Sequence, residues 1–204
     1  PGFMDVVCYS GTGVAGTVPH NLGAVPELMI VKCRSAANRE WLVYSERLGN
    51  NQQIVLNATD FLAVGSGAWN ATTPTSSVFS LGVSVHVNQS AATFVAYLFA
   101  SLQGISKIGN YTGNGTTQTI NCGFTTGARF ILIKRTNSTG DWYVWDSVRG
   151  IVAGNDPHLS LNTPAAEVTT DDSVDPDVSG FIVNQVAATN INVSGGQYIF
   201  LAIA

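Results

Sequence analysis

Apolar residues along this chain fall in short runs of four to eight, separated by Gly, Asn, Pro and Ser turns. Residues 3–9 form one such run, ended by Gly11 and Gly13. Residues 28–31 and 130–133 are continuously apolar and are capped by Lys32 and Lys134, the pattern of a central strand covered on both faces. After the polar turns 35–38 and 137–140, the runs 41–44 and 142–145 return, which predicts an antiparallel hairpin in each half. Leu81, Val83, Val85 and Val87 alternate with Gly82, Ser84, His86 and Asn88, predicting a half-buried strand with residues 181–183 and 191–193 as its counterpart. Residues 94–99 and 198–203 close the two halves. Helical i, i+3, i+4 spacing is sustained nowhere, so at most a short turn is expected near residues 45–48. The pattern predicts an all-β chain of sandwich or jelly-roll type.

The two halves are copies of one unit. Tyr9-Ser-Gly-Thr-Gly13 matches Tyr111-Thr-Gly-Asn-Gly115, and Leu28-Met-Ile-Val-Lys32 matches Phe130-Ile-Leu-Ile-Lys134, both at an offset of 102 residues. One deletion later, Glu40-Trp41 aligns with Asp141-Trp142. A repeat this long is a domain duplication rather than a solenoid of short units. It predicts two tandem antiparallel β-sandwich (jelly-roll-like) repeats, residues 1–102 and 103–204, joined by the short Ser101-Leu-Gln-Gly104 link.

Composition narrows the function. The chain has 204 residues, 45% of them hydrophobic, and a mean hydropathy of +0.20. Only 11% are charged, against about 25% in ordinary soluble domains. Gly, Ser, Thr and Asn replace the missing charge, which suits strands and tight turns. Nine scattered Lys and Arg in a chain of net charge −4 supply no basic stripe, so nucleic acid is not an expected partner. The apolar runs are too short for a helical membrane span, and no membrane insertion is expected. Pro1-Gly2-Phe3-Met4 carries no signal-peptide pattern, and the internal Met4 suggests a trimmed start. Cys8, Cys33 and Cys122 are odd in number and lack metal-ligand spacing, which predicts buried free thiols. Seven Asn-x-Ser/Thr sequons begin at Asn57, Asn70, Asn88, Asn110, Asn114, Asn137 and Asn192. Turn and strand chemistry accounts for them, with N-glycosylation of a secreted chain as the other reading.

Candidate chemistry is sparse. The chain holds no G-x-S-x-G, H-E-x-x-H, Walker or dinucleotide-binding pattern, and the glycines at 11, 13, 113 and 115 lead into further strands. His20, His86 and His158 are far apart, with His86 expected exposed on the polar face of a strand. Glu40 and Asp141 are equivalent acids before a shared Trp, and the expected role is to anchor each hairpin rather than to cleave a glycosidic bond. Asp171, Asp172, Asp175 and Asp177 lie in a stretch, 167–179, without a counterpart in the first repeat. Such a loop is either solvated or a weak calcium site; no other cofactor or metal is expected. Trp41 and Trp142 recur and are expected in the cores. Trp69, in a Gly- and Ala-rich loop without a counterpart, is the expected glycan contact.

The repeated Tyr-x-Gly-x-Gly, the apolar strand ending in Lys, Trp-x-x-Tyr/Trp and Asp146-Ser-Val-Arg-Gly150 resemble modules of bacteriophage tail-fibre and other virion-appendage proteins. The first repeat departs from that pattern, with Tyr44-Ser-Glu-Arg-Leu-Gly49 in place of the last motif. The resemblance implies a non-enzymatic β-module on a virion, assembled in the host cytoplasm. Its expected partners are copies of itself, often in trimers, and other virion proteins, with a host-surface glycan as a further candidate. It transfers no binding residue. A tail-fibre or receptor-binding appendage is the leading expectation; a capsid decoration protein and a secreted carbohydrate-binding module are the alternatives.

Overall fold

The computed structural model describes residues 2–60 and 67–204 and, as strand backbone, residues 63 and 64. The chain forms two tandem antiparallel β-sandwich units. Unit 1 is Pro1–Asn57 with Leu62–Ala100, and unit 2 is Ser101–Ala204 with Ala58–Phe61. Residues 101 and 102 go with unit 2 because Leu102 and Ser106 exchange backbone hydrogen bonds at the start of its first strand. Ala58–Phe61 goes with it because the Thr59 carbonyl accepts from the Gly140 N–H (3.0 Å) and from Lys134 Nζ (3.0 Å).

Unit 1 contains β1 (Met4–Ser10), β2 (Gly16–Pro19), β3 (Leu28–Cys33), β4 (Leu42–Ser45), β5 (Gln52–Val55), β6 (Ala63–Val64), β7 (Val78–Leu81), a single helical turn α1 (Val85–Asn88) and β8 (Thr93–Phe99). The main sheet runs β1-β8-β3-β4-β5-β6, and β2 pairs with β7 opposite it. Met29, Val31, Tyr44, Phe94, Ala96 and Leu98 of the main sheet meet Val18, Phe79 and Leu81 of the small one in a single core.

Unit 2 contains β9 (Ser106–Thr112), β10 (Thr117–Asn121), β11 (Phe130–Arg135), β12 (Trp142–Asp146), β13 (Leu159–Ser160), β14 (Val174–Asp177), β15 (Gly180–Asn184) and β16 (Gln197–Ile203). Its main sheet runs β13-β12-β11-β16-β9, and β10-β15-β14 covers it. Ile131, Ile133, Trp145, Tyr198 and Phe200 pack there against Ile120, Val174, Phe181 and Val183.

The duplication extends to the residue pairing. Val31 faces Ala96 across β3/β8, and its equivalent Ile133 faces Phe200 across β11/β16. Tyr9 faces Phe94 as Tyr111 faces Tyr198, each pair with stacked rings, and Val18 faces Phe79 as Ile120 faces Phe181. As the unbroken apolar runs predict, β3 and β11 are buried on both faces.

Three expectations are corrected. The alternating stretch 81–88 is not a strand beyond Leu81, the last residue of β7. Gly82 donates to Ala68 O (2.7 Å) and Ser84 to Gly67 O (2.9 Å), so the chain pairs there with residues 67–68. A Cβ on Gly82 would stand 2.0 Å from Gly67 O, so only glycine permits that approach. Ser84 then caps the α1 turn, leaving Val83 and Val85 exposed and His86 half-buried rather than on a polar strand face. The acidic stretch is not a plain loop, since β14 runs through it as an edge strand in which Pro176 is tolerated. Finally, Cys33 and Cys122 are buried free thiols, but Cys8 is exposed, because the period of β1 places it on the outward face with Met4 and Val6.

The Tyr-x-Gly-x-Gly segment leaves the first strand of each unit and is held by one buried asparagine. Asn88 Oδ1 accepts from Thr12 N (2.8 Å), and its Nδ2 donates to Val14 O (2.8 Å) and Gly82 O (2.7 Å). Asn192 Oδ1 accepts from Asn114 N (3.0 Å) and Gln118 Nε2 (2.7 Å), and its Nδ2 donates to Thr116 O (3.1 Å) and Val183 O (3.2 Å). The tyrosines complete the tie, with Tyr9 Oη donating to Val87 O and Tyr111 Oη to Ile191 O, both at 2.7 Å. The first glycine of each motif is obligatory, since a Cβ on Gly11 or Gly113 would lie 2.2 or 2.3 Å from Gln89 O or Val193 O.

Each clamp is therefore expected to carry much of its unit's stability. Asn88→Ala or Asn192→Ala removes all of these bonds and leaves the buried Gly82 O or Val183 O without its amide donor, and is expected to cost about 1–3 kcal/mol in urea unfolding. Gly113→Ala is expected to cost about 1–3 kcal/mol by overpacking. Gly140→Ala, whose Cβ would meet only Arg135 Cβ at 3.5 Å, should change little. Equal losses at Gly113 and Gly140 would contradict this. Asn88 and Asn192 also begin sequons, yet are only 2% and 0% exposed. In a glycosylating host the folded chain is expected to leave both unmodified, as peptide mass mapping would show.

Candidate functional site

The residues singled out by sequence fall mostly into structural roles. Trp69 is fully buried, edge-on to Tyr44 at 5.8 Å, with Nε1 donating to Gln52 O (3.1 Å). Left-handed Asn70 and Ala71 fold its loop inward, so the ring fills the unit 1 core and presents no face to a glycan. His20 is buried, with Nδ1 accepting from Leu22 N and Nε2 near Thr75 O, an arrangement that suits the neutral Nε2–H tautomer.

The acidic stretch binds itself. Asn184 Nδ2 donates to both Asp172 Oδ1 (3.0 Å) and Asp175 Oδ2 (2.8 Å), so an amide stands where a cation would bridge them. Asp177 accepts from Ser179 N and Oγ, bonds that hold its carboxyl below the usual range. Among the described residues no three His, Cys, Asp or Glu are placed to hold a metal ion.

Glu40 and Asp141 share one structural role. Asn57 Nδ2 donates to the Glu40 carboxylate while Asn57 Oδ1 accepts from Trp41 N (2.9 Å). Asn162 does the same between Asp141 Oδ1 (2.7 Å) and Trp142 N (2.8 Å). Beside each acid, the strand-ending lysine tucks over the tryptophan, Lys32 Nζ 5.5 Å from the Trp41 ring centre and Lys134 Nζ 5.9 Å from that of Trp142. Both lysines close the hairpin turn by donating to a carbonyl, of Arg39 or of Gly140. Lys134 is fully buried, and burial pulls its ammonium down to about 8 against the pull of Asp141 and Asp60. Asp146 Oδ1 likewise accepts from Val148 N and Arg149 N (both 2.9 Å), which makes that motif a turn.

Unit 2 holds a cavity beside its hairpin turn. A cavity of about 360 Å³ opens between the 137–141 turn and residues 188–191, with Arg135, Asp141 and Tyr143 on its walls. Behind Tyr143 and Thr189 lies a buried polar cluster. Asp156 is fully buried, and its Oδ1 accepts from Ser173 N (2.8 Å) and Val174 N (3.1 Å). His158 lies against the rings of Tyr143 and Trp145, with Nδ1 3.5 Å from Asp171 Oδ1. Ser173 Oγ donates to Asp171 Oδ1 (2.9 Å) and lies 2.8 Å from Thr189 Oγ1. Burial pushes the Asp156 carboxyl up to about 7, and Asp171 adds to the rise against the two backbone N–H groups. Sequence reasoning missed this cluster because Asp156 and His158 sit in an irregular segment with no repeat partner.

The fold and its duplicated ties define a tandem β-sandwich module. The chain belongs to the family described as a domain of unknown function, DUF7483, whose model matches residues 1–204. No curated protein and no solved structure matches it. No helix among the described residues is long and apolar enough to cross a membrane.

Because the Asp156 pKa is raised above its ordinary 3.8, its contribution to stability is full below about pH 4 and is lost as pH rises toward 7. Asp156→Asn keeps an acceptor for both amides and removes the titration. The melting temperature of the variant relative to wild type is expected to climb from pH 4 to 7 and then level off. A constant difference would refute the assignment.

Proposed function

We propose that the chain is a non-enzymatic structural and adhesion protein of a bacteriophage virion, a tail fibre or receptor-binding appendage. One observation carries the reading: the residues shared by the two units serve the fold. The tyrosines, glycines, clamp asparagines, lysines and hairpin acids are all engaged in tying strands and turns together. Glu40 and Asp141, the two acids best placed by sequence for hydrolysis, make the same anchoring bonds in both units. Duplication of a scaffold, with a cavity at the hairpin turn of unit 2 where unit 1 bridges the equivalent turn, suits a particle component that displays a surface. Two cores held by hydrogen-bonded clamps, with all three cysteines free, suit assembly in a reducing cytoplasm.

The exposed apolar row of Met4 (40%) and Val6 (50%) on the edge strand β1 favours a second reading, in which that face docks on another virion protein, as in a capsid decoration. Light scattering coupled to size exclusion separates the two. A self-assembling appendage is expected at three times 21.5 kDa or another closed multiple. A monomer at every concentration would overturn self-assembly and shift the assignment to a docked subunit.

A further inference from the structure

The cavity of unit 2 exists because the two copies diverged at a few equivalent positions. In unit 1 the hairpin turn is bridged to the segment before the clamp asparagine: Arg39 Nε donates to Gln89 Oε1 (2.7 Å), and Glu40 N donates to His86 Nδ1 (3.0 Å). Counting from the shared Trp and Asn, the unit 2 equivalents of Arg39, His86 and Gln89 are Gly140, Asn190 and Val193. Gly140 has no side chain to cross the gap. Asn190, left-handed at φ 52°, turns back on its own loop, with Nδ2 donating to Ala187 O and Oδ1 accepting from Gln185 Nε2. Leu42 of unit 1 becomes Tyr143, whose Oη donates to Ala188 O (3.3 Å) at the cavity wall.

The walls that result are not apolar. Arg135, its Nε bonded to Asn137 Oδ1, and Asp141, anchored through Oδ1 by Asn162 and through Oδ2 by a longer bond from Ser160 Oγ (3.4 Å), present one positive and one negative group. A simple anion would use only the guanidinium and a simple cation only the carboxylate. Hydroxyl groups serve both, since each OH donates to a carboxylate and accepts from a guanidinium. Tyr143 supplies an aromatic ring beside them, and the volume falls in the range that small ligands occupy, roughly 300–1,000 Å³.

We propose that this cavity is a saccharide site that takes one neutral hexose unit, with Arg135 and Asp141 gripping adjacent hydroxyls and Tyr143 lining the pocket. The inference rests on the adhesion reading, but its test is independent of native mass and of any virion location. The methyl glycosides of glucose, galactose, mannose and N-acetylglucosamine are titrated separately into the full chain, and amide NMR shifts are followed. At least one is expected to shift amides around residues 139–143 and 188–191, with a dissociation constant on the order of millimolar, as for one small polar ligand. Gly140→Arg places in unit 2 the residue that unit 1 has at Arg39; a Cβ at Gly140 makes only an ordinary contact with Arg135 Cβ (3.5 Å), so the variant is expected to fold, and it should abolish the shifts with melting unchanged. Arg135→Ala should weaken binding about tenfold by removing a charged donor. No shift with any of the four sugars overturns the proposal. So does binding that persists unchanged in a folded Gly140→Arg chain.

Discussion

Each sandwich depends on one buried side-chain amide. The strand after Tyr9 or Tyr111 must turn from the main sheet toward the opposing one, and in that turn several backbone groups have no ladder partner. Asn88 and Asn192 satisfy them with donors and acceptors from a single planar group. A buried amide with all its bonds made is stabilising, and one with them broken leaves the amide and the buried Gly82 or Val183 carbonyl dry. The glycines beside it and the tyrosine hydroxyls are consequences of that tie, because the backbone must approach within reach of the amide.

A second tie works at the other end of each unit. The strand-ending lysine, the tryptophan one strand over, the preceding acid and a distant asparagine form one assembly in both copies. In unit 2 the lysine is wholly buried and also binds Thr59 O, so the tie reaches a segment far away in sequence. An ammonium there is held by carbonyls, a ring face and nearby carboxylates rather than by a direct ion pair, which lessens the cost of its burial.

Unit 2 departs from this economy. Its extra hairpin through β14 and the segment carrying Asp156 and His158 enclose polar groups whose hydrogen bonding is incomplete, His158 Nδ1 and Asp171 Oδ2 among them. Such groups weaken a fold unless they serve something else. They stand directly behind the walls of the cavity that the loss of the Arg39 bridge opens, with Thr189 and Tyr143 common to both.

By itself the sequence determined the strand content, the duplication and the paired hairpins, because alternation and continuous apolar runs are local consequences of a period-two backbone and of burial on both faces. It also marked Glu40 and Asp141 as anchors, since equivalent acids before equivalent tryptophans signal a shared scaffold. Tertiary structure alone decided the rest. The Leu81–Val87 alternation looked like a strand, yet Gly82 gave its ladder to residues 67–68, a choice made by a partner distant in sequence. Trp69 lay in a turn-rich stretch and was drawn inward because the core of unit 1 had room for an indole there. The cavity of unit 2 is a difference between two similar surfaces, the space an arginine fills in one copy and a glycine leaves in the other. A void has no residue of its own, and so no pattern along a chain can spell it.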